Sequence, residues 1–334
     1  MGPGDPVVIG VDVGGTKVAA ARIAGTEVRS PVQHPTDLSG PEALLDGIES
    51  AIREVAQSAG EPDAIGVGMP SQIDFATGTI VASVNIPFEG VPLREELGRR
   101  LGVPAYVDND ANCAALAEAQ FVDNAPAQHL VMLTLGTGVG GGVILGGQIF
   151  RGATGLGAEL GHTVIDADGP ECPGNCPNRG CIEALCSGTA LELAATAFAA
   201  ANPGSALAGT GAEQGGRVKG RQVVDAARAG DADAQGLLDS LGRSLGVAIS
   251  NFVNVFEPAN FVIGGGLSAA GDLFLETAAR EAGARALPAA FERVSITTAN
   301  AGNDAGVIGA GLLAAQELAL SGDTAGLRAR EGVG

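Results

Sequence analysis

Apolar residues recur along this chain with two different periods, which together indicate a mixed α/β fold. Runs rich in Val, Ile and Leu and bounded by glycine predict strands, at residues 7–13, 18–23, 64–69, 103–107, 129–135, 142–150 and 261–263. Apolar residues at helical spacing predict helices, at residues 41–59, 111–121, 183–200, 231–256 and 304–320. Residues 151–182 show little periodicity and are rich in Gly, Pro and Cys. A loop of that length inside a folded chain is usually functional or tied by a metal.

The composition limits the functions that the chain can have. Its 334 residues exceed one small core and predict two lobes. A formal net charge of −19 repels nucleic acid and anionic lipid, so we expect neither as a partner. The sequence shows no signal peptide and no uninterrupted apolar run of membrane-spanning length, which predicts a cytoplasmic protein with no membrane partner. In a reducing compartment, five cysteines favour metal binding or free thiols over disulfides.

A first glycine hairpin is predicted to bind phosphate. Asp12, Gly14, Gly15, Thr16 and Lys17 follow one another at the end of the first predicted strand. Glycines let backbone amides approach a phosphate closely, and turn amides form an anion-binding nest. The hydroxyl can donate to a phosphate oxygen, the ammonium can neutralise charge, and the carboxylate can hold Mg²⁺ through water. An ordinary hairpin turn remains the alternative.

A second hairpin repeats this design with Gly136, Thr137 and Gly138. Residues 136–141 match G-x-G-x-x-G, but a strand follows them, whereas a dinucleotide-binding site needs a helix. We therefore interpret them as a second phosphate hairpin, and two similar halves facing one ligand are favoured over chance similarity in a chain with 53 glycines. Gly265 and Gly266 would let the backbone pass close to a flat group such as adenosine, or simply form a strand-to-helix turn.

An acidic turn follows the strand at residues 103–107 and opens the next helix. Asp110 is a candidate base that accepts the proton of a sugar hydroxyl as it attacks the γ-phosphorus, since phosphoryl transfer needs positioning, charge stabilisation and a proton acceptor. Asn109 can bind neighbouring hydroxyls. The alternative is that Asp110 is only the N-cap of the helix.

A histidine and three cysteines lie within about twenty residues of the glycine-rich segment, which is typical of zinc sites. The predicted ligands are His162, Cys172, Cys176 and Cys181. Four protein ligands leave no open position, so the zinc would be structural and would fold a loop that lacks its own core. The second ring nitrogen of His162, together with Glu159 and Glu183, would then be available to sugar hydroxyls.

Taken together, these motifs resemble the ROK family of repressors, open reading frames and sugar kinases. The matching segments span nearly the whole chain in family order, at residues 12–17, 66–74, 109–112, 135–142, 159–162, 172–183 and 264–266. The resemblance implies an α/β, actin/hexokinase-like (ribonuclease H-like) fold of two lobes with the active site in the cleft between them. We expect a small lobe of residues 1–118 plus 302–334 and a large lobe of residues 119–301 that carries the zinc-bound loop 157–183.

The resemblance also implies a role for each motif residue. Asp110 would be the catalytic base. The sugar would be bound by Gly68, Asn109, Glu159, His162 and Glu183. The nucleotide would lie along Asp12, Gly14, Gly15, Thr16, Lys17, Gly136, Thr137, Gly138, Gly265 and Gly266. Two positions depart from the family pattern: three residues separate Cys172 from Cys176 where one is usual, with Pro177 in place of the next glycine, and Ser71 stands where a glycine is common.

The implied activity is ATP- and Mg²⁺-dependent phosphorylation of a hexose, with glucose favoured and glucose 6-phosphate as product. Fructose, mannose or an N-acetylhexosamine are alternatives, and polyphosphate in place of ATP is left open. A function of another class, a non-catalytic sugar-sensing regulator, is disfavoured in both its forms. A sugar-responsive repressor is disfavoured because Asp12 comes too early for a preceding helix-turn-helix module, and a catalytically dead sugar-binding protein because both hairpins and Asp110 are retained. A homo-oligomer is expected, with a dimer as its first candidate.

Overall fold

The computed structural model describes residues 6–83, 85–122, 125–174, 176–212 and 215–322. Its strands are β1 (Val8–Val13), β2 (Lys17–Ala24), β3 (Glu27–Pro35), β4 (Ala64–Met69), β5 (Ser71–Asp74), β6 (Thr79–Ser83), β7 (Ala105–Asn109), β8 (His129–Leu135), β9 (Val139–Leu145), β10 (Gln148–Ile149), β11 (Asn260–Gly264) and β12 (Ser295–Thr298). Its α-helices are α1 (Pro41–Ala59), α2 (Leu93–Leu101), α3 (Asp110–Glu118), α4 (Ile182–Cys186), α5 (Gly188–Ala201), α6 (Ala206–Ala212), α7 (Gly220–Arg228), α8 (Ala232–Phe256), α9 (Leu275–Arg285), α10 (Pro288–Phe291) and α11 (Ala305–Ser321). Short 3₁₀ segments lie at Leu160–His162, Gly266–Leu273 and Gly302–Asp304. Among these helices, none combines the length and apolar character that a membrane crossing needs.

The chain forms two compact units. Unit 1 comprises Met1–Gln128, Gly142–Ala158 and Asn300–Gly334, and unit 2 comprises His129–Gly141 and Glu159–Ala299. Residues 119–128, 142–158 and 300–301 belong to unit 1, whereas the division expected from the sequence gives them to the large lobe. Residues 1–5 and 323–334 of the expected small lobe lie outside the described residues.

Unit 1 is built on a five-stranded sheet of order β3-β2-β1-β4-β7. β1 pairs antiparallel with β2 and parallel with β4, which pairs parallel with β7. Alternate residues of a strand face opposite sides, so Val11 and Val67 join a buried cluster with apolar residues of α1. On the other side, a Cβ added to Gly10 or Gly66 would overlap the backbone of α11. The two glycines therefore let α11 lie directly on the sheet.

The second sheet has the order β10-β9-β8-β11-β12. In unit 2, β11 lies between β8 and β12 and is parallel to both. The long helix α8 begins after Asp231, whose Oδ1 accepts a bond of 2.8 Å from the Ala234 amide, as expected for an N-cap. Glycines at 242 and 246 bring α8 against α9, because a Cβ at either position would overlap α9 residues or the Phe274 carbonyl.

Several predicted elements differ in the structure. The strand predicted at 142–150 is two strands, β9 and β10, separated by a turn in which Gly146 and Gly147 have φ of 60° and 78°. The helix predicted at 183–200 is likewise two helices, because Ser187 ends α4 and its Oγ accepts a bond from Ala190 N that starts α5. The patterns missed β3, β5, β6, α2, α6, α7, α9, α10 and β12.

Candidate active site

The acidic turn of unit 1 is a strand-to-helix elbow. Asn109 ends β7, and its Oδ1 accepts bonds of 2.9 Å from Ala111 N and 3.3 Å from Asn112 N. Asn109 is therefore the N-cap of α3, and Asp110 is the first helical residue. The alternative that Asp110 itself fills the N-cap position is wrong. The carboxylate of Asp110 also accepts a bond of 2.9 Å from Ala111 N.

The environment of Asp110 favours proton uptake. Burial raises the pKa of its carboxyl above the ordinary value, and hydrogen bonds from the backbone at Ala111 and Asp110 oppose that shift. Desolvation destabilises the charged form of a carboxylate more than the neutral form. A carboxylate with raised proton affinity is suited to accept a proton from a hydroxyl near neutral pH.

The carboxylate of Asp12 lies near that of Asp110 and is affected by its charge. Burial and the negative charge of Asp110 raise the pKa of Asp12 to about 6, and the charge of Lys17 opposes the shift. The start of α11 closes over this carboxylate, since a Cβ at Gly306 would lie 2.7 Å from Asp12 Cγ. A carboxylate whose proton affinity is raised by a neighbouring negative charge also favours a cation beside it. Asp12 is thus a candidate ligand for Mg²⁺.

The first hairpin turn joins Asp12 to Lys17. The Gly14 amide donates a bond of 2.8 Å to Lys17 O, which closes the turn. Thr36 braces the turn from β3's end, because its hydroxyl donates 2.7 Å to Gly14 O and its amide donates 3.1 Å to Thr16 O. Gly15 and Thr16 are exposed at the tip, where the sequence predicts phosphate contact.

Gly68 lies inside β4, in register with Asp12 of β1 and Asp108 of β7. It is buried, and a Cβ there would lie 3.1 Å from the sulfur of Cys113 on α3. The absence of a side chain thus lets α3 approach the sheet below the elbow. Its part in sugar binding stays a prediction.

The sequence patterns did not predict an ion-pair network that lies below the elbow. Asp108 Oδ2 accepts a bond of 2.7 Å from Arg151 Nε, and Arg151 Nη2 lies 3.2 Å from Glu317 Oε1. Asp108 Oδ1 accepts bonds of 2.8 Å from Asn112 Nδ2 and from Asn109 N. A carboxylate at the end of a buried strand signals a partner, but nothing in the sequence links it to residues 43 and 209 positions later.

The second hairpin turn, in unit 2, is supported by a helix. The Gly136 amide donates 2.9 Å to Gly138 O across the turn. The amide of Gly188, the first residue of α5, donates 2.8 Å to Gly136 O, and the Thr189 hydroxyl donates 2.7 Å to Thr137 O. The turn is therefore fixed on the first turn of α5, which presents the positive end of a helix dipole.

A cavity of about 930 Å³ in unit 2 opens beside this turn and is lined by Gly136, Thr137, Gly188, Thr189, Glu192, Arg217, Lys219, Gly220, Arg221, Val224, Asp225, Arg228, Gly266, Leu267, Ala269 and Ala270. Gly265 lies next to this lining with φ 80°, and a Cβ there would be 2.5 Å from Leu135 O. The cavity thus brings together two of the predicted nucleotide regions. Four cationic side chains in the lining, Arg217, Lys219, Arg221 and Arg228, were not predicted, although Lys219 is one of two lysines in the chain.

The predicted metal ligands come together in unit 2. One donor atom each from His162, Cys172, Cys176 and Cys181 lies within 4.8 Å of the other three. Cys172 belongs to the set despite its altered spacing from Cys176. Its amide donates a bond of 3.1 Å to Asn178 O, which holds Cys172 beside the residues that follow Cys176. Three sulfurs and one imidazole nitrogen at these separations can surround a tetrahedral metal ion.

Glu183 connects the metal-ligand cluster to the second hairpin. Its Oε2 accepts a bond of 2.8 Å from Val139 N, the first amide after the turn, and its Oε1 lies 3.4 Å from Cys172 Sγ. The side chain is buried. The segment with Glu159 and His162 meets the same place, because a Cβ at Gly161 would overlap the Val139 backbone. The three predicted sugar-binding residues of unit 2 are therefore grouped around the start of β9.

Comparison with known proteins agrees with these motifs. The model of the ROK family matches residues 8–317. The glucokinase of Halalkalibacterium halodurans is 38% identical over 317 residues, which cover 92% of this chain and 95% of that protein. The ROK hexokinase of Thermus thermophilus superposes with a TM-score of 0.80 at 34% identity, over 93% of this chain and 99% of that one. A ROK glucokinase of Streptomyces griseus, solved with glucose and AMPPNP, superposes with a TM-score of 0.76 at 32% identity, over 93% of this chain and 99% of that one. The predicted α/β, actin/hexokinase-like fold class is confirmed.

Proposed function

The chain belongs to the ROK family, and from that premise we propose that it is an ATP-dependent glucokinase that forms glucose 6-phosphate. The observation that carries the proposal is a pair of carboxylates in unit 1, at the carboxyl ends of the parallel strands β7 and β1. Burial raises the pKa of Asp110, and burial together with the charge of Asp110 raises the pKa of Asp12. The similarity to glucokinases over nine-tenths of the chain supports the choice of substrate.

In the proposed reaction, Asp110 takes the proton of the attacking sugar hydroxyl. That oxygen forms a bond to the γ-phosphorus as the bond to the β–γ bridging oxygen breaks, which leaves ADP and a phosphorylated sugar. Asn109 caps α3 with its Oδ1, and its Nδ2 donates a bond of 3.4 Å to Ser71 O. The second hydrogen of Nδ2 is the one with which Asn109 would orient a hydroxyl. Positioning of this kind supplies much of the rate in phosphoryl transfer.

We assign the nucleotide to the two hairpins and to the unit 2 cavity. Gly136, Thr137, Gly138, Gly265 and Gly266 would contact the adenosine end and its phosphates, beside the cavity's cations. From unit 1, Gly14, Gly15, Thr16 and Lys17 would contact the phosphates. Asp12 would hold Mg²⁺ through water, and the ion would neutralise charge on the transferred group.

We assign glucose to Gly68 and Asn109 of unit 1 and to Glu159, His162 and Glu183 of unit 2. Buried polar groups that hydrogen-bond a hydroxyl discriminate strongly against a sugar that lacks it. Fructose, mannose and N-acetylhexosamines remain competing substrates, and polyphosphate remains a competing donor.

A cytoplasmic location and a homodimer complete the proposal, the first because the clustered thiols need a reducing compartment.

The function is tested by incubating the protein with ATP, Mg²⁺ and a panel of hexoses, and by following ADP release. Glucose should give the highest kcat/KM. Asp110→Asn should lower kcat by about 10²–10⁴-fold while still binding glucose, and Asp37→Asn, at an exposed carboxylate of unit 1, is the matched control. Glucose binding without ADP release by the wild-type protein would instead favour a sugar-sensing regulator.

A structural Zn²⁺ on His162, Cys172, Cys176 and Cys181 is the second part of the proposal, supported by the donor separations. Elemental analysis should find about one zinc per chain. Cys176→Ser should lower that content, whereas Cys113→Ala, at a buried thiol of unit 1, should not. Zinc-free protein that retains the wild-type melting temperature would contradict the structural role.

A further inference from the structure

Asp108 is a buried carboxylate directly before the elbow. Its side chain is 4% exposed, and one of its oxygens already accepts two bonds, from Asn109 N and Asn112 Nδ2. An ionised carboxylate in such a place is costly unless a countercharge is paired with it. Arg151 supplies the countercharge, with Nε 2.7 Å from the other oxygen.

Arg151 is fixed on three sides. Besides Asp108, its guanidinium contacts Glu317 of α11 at 3.2 Å and lies over the Phe75 ring, 3.5 Å from the ring centre. Its side chain is 17% exposed. A planar guanidinium with five donors can hold two carboxylates and an aromatic face at once, which an ammonium cannot do. Arg151 thus ties β7, α11 and the loop after β5 to one point.

The bonds of Asp108 reach both sides of the candidate base. Asn109 is bonded through its amide and caps α3, and Asn112 is bonded through its side chain within the first turn of the helix. Asp110 lies between these two residues. Any movement of Asp108 therefore moves the start of α3, and with it the carboxylate of Asp110.

We propose that Arg151 is a positioning residue for phosphoryl transfer: through its bond to Asp108 it fixes the elbow that carries Asp110. This inference rests on the proposed kinase function and adds to it a residue that touches neither sugar nor nucleotide. A displacement of about 1 Å at a reacting group can lower the rate a hundredfold, so a fixed elbow has a direct kinetic consequence.

The test compares Arg151→Gln, Arg151→Lys and Arg29→Gln in hexose-dependent ADP release. Arg151→Gln should lower kcat by about 10- to 100-fold and change the KM for glucose by a smaller factor, because three of the five residues assigned to the sugar lie in unit 2 and keep their contacts. Arg151→Lys keeps the charge but not the two-carboxylate geometry and should lie between wild type and Gln. Arg29, in an exposed ion pair with Glu27, should be replaceable without effect.

A double variant, Asp108→Asn with Arg151→Gln, separates positioning from plain stabilisation. It removes the unpaired charge at residue 108 and leaves only Glu317, whose side chain is 18% exposed, without its partner, so its melting temperature should return part of the way toward that of the wild type. Glutamine is too short to join residue 108 to Glu317, so kcat should stay low. Recovery of kcat together with stability would overturn the inference.

Two other outcomes are decisive. An active wild type with an Arg151→Gln kcat within about threefold of it, or a change confined to KM, would overturn this inference alone. A wild-type protein that phosphorylates no hexose would overturn the proposed function, and this inference with it.

Discussion

The two glycine hairpins share a strand–turn–strand design, and they are supported in different ways. The first, Asp12 to Lys17, carries charged side chains at both ends and is braced by one threonine, Thr36. The second, Gly136 to Gly138, has no charged side chain. It is hydrogen-bonded to the first turn of α5, and the amide that follows it, Val139 N, donates to the carboxylate of Glu183. Similar sequences thus produce a turn flanked by charged side chains in unit 1 and an uncharged turn supported by a helix in unit 2, and we assign Mg²⁺ to the first alone.

The difference between the hairpins predicts that, among changes in the two turns, loss of the Asp12 charge in the first has the largest effect on kcat. Asp12→Asn keeps the size of the side chain but removes the charge assigned to Mg²⁺. We expect kcat to fall by about 100-fold or more, since electrostatic stabilisation at the transferred group is lost. Steady-state kinetics with varied Mg²⁺ measures it. A kcat within a few fold of wild type would show that the two hairpins do not divide their roles in this way.

The second-largest effect should be a loss of stability when the Glu183 carboxylate, which binds the Val139 amide beside the second hairpin, is removed. Glu183→Ala leaves the Val139 amide buried without its acceptor, which costs about 1–3 kcal/mol in the free energy of unfolding. Glu183→Gln keeps an acceptor oxygen and should lose less than half as much. Denaturant unfolding measures both, with Glu276→Ala on the exposed side of α9 as control. Equal losses for Ala and Gln would contradict this account.

The affinity for the Mg²⁺–nucleotide should depend on pH through Asp12 of the first hairpin, since the second hairpin carries no titratable side chain. Because the pKa of Asp12 is raised to about 6, its charge is lost as the pH falls through 6, and affinity for the Mg²⁺–nucleotide should fall with it. The folded protein binds this proton more tightly than the unfolded chain does, so the contribution of Asp12 to stability rises as the pH falls from about 6 to about 4. Calorimetric titrations from pH 7.5 to 5 should show one proton taken up near pH 6 in the wild type. Asp12→Asn should lose that step; its persistence would assign the proton elsewhere.

The smallest effects should come from two matched threonines. Thr36 donates 2.7 Å to Gly14 O in the first hairpin, and Thr189 donates 2.7 Å to Thr137 O in the second. Each Thr→Val change should cost about 0.5–1.5 kcal/mol of stability. Thr189 lines the unit 2 cavity, so only its change should also weaken binding of an adenine nucleotide. Equal effects on nucleotide affinity would show that both turns contact it alike.

Strong local patterns made much of the fold predictable. The bounds of α1, β4 and β8 coincide with those read from the sequence, because each carries a continuous apolar stripe or run between glycine, proline or polar residues. β3 was missed because its residues are half-buried or exposed throughout, as in an edge strand, and α2 because charged residues dominate it. Weak apolar patterns leave such elements to tertiary contacts.

The candidate site was predictable where residues lie close in sequence. His162 and the three cysteines were identified because one loop contains them all, and the elbow because two polar residues end a buried strand. Arg151 could not be assigned, since its partners Asp108 and Glu317 lie on distant strands and helices and only the folded chain joins them. The N-cap was placed one residue late for a simpler reason: Asn and Asp are nearly equal as caps, and they are adjacent here.

The close contact of α11 with β1 and β4 has a consequence for biosynthesis. The glycines at 10 and 66 leave no room for anything except the backbone of that helix, which is synthesised long after β1 and β4. Residues 159–299 have all emerged when α11 leaves the ribosome. β1 by contrast lacks the helix that covers it until α11, some three hundred residues later in the chain, has been made. Nascent chains stalled before residue 305 should therefore expose the glycine face of that sheet to chaperones, and release of the final helix should end the exposure.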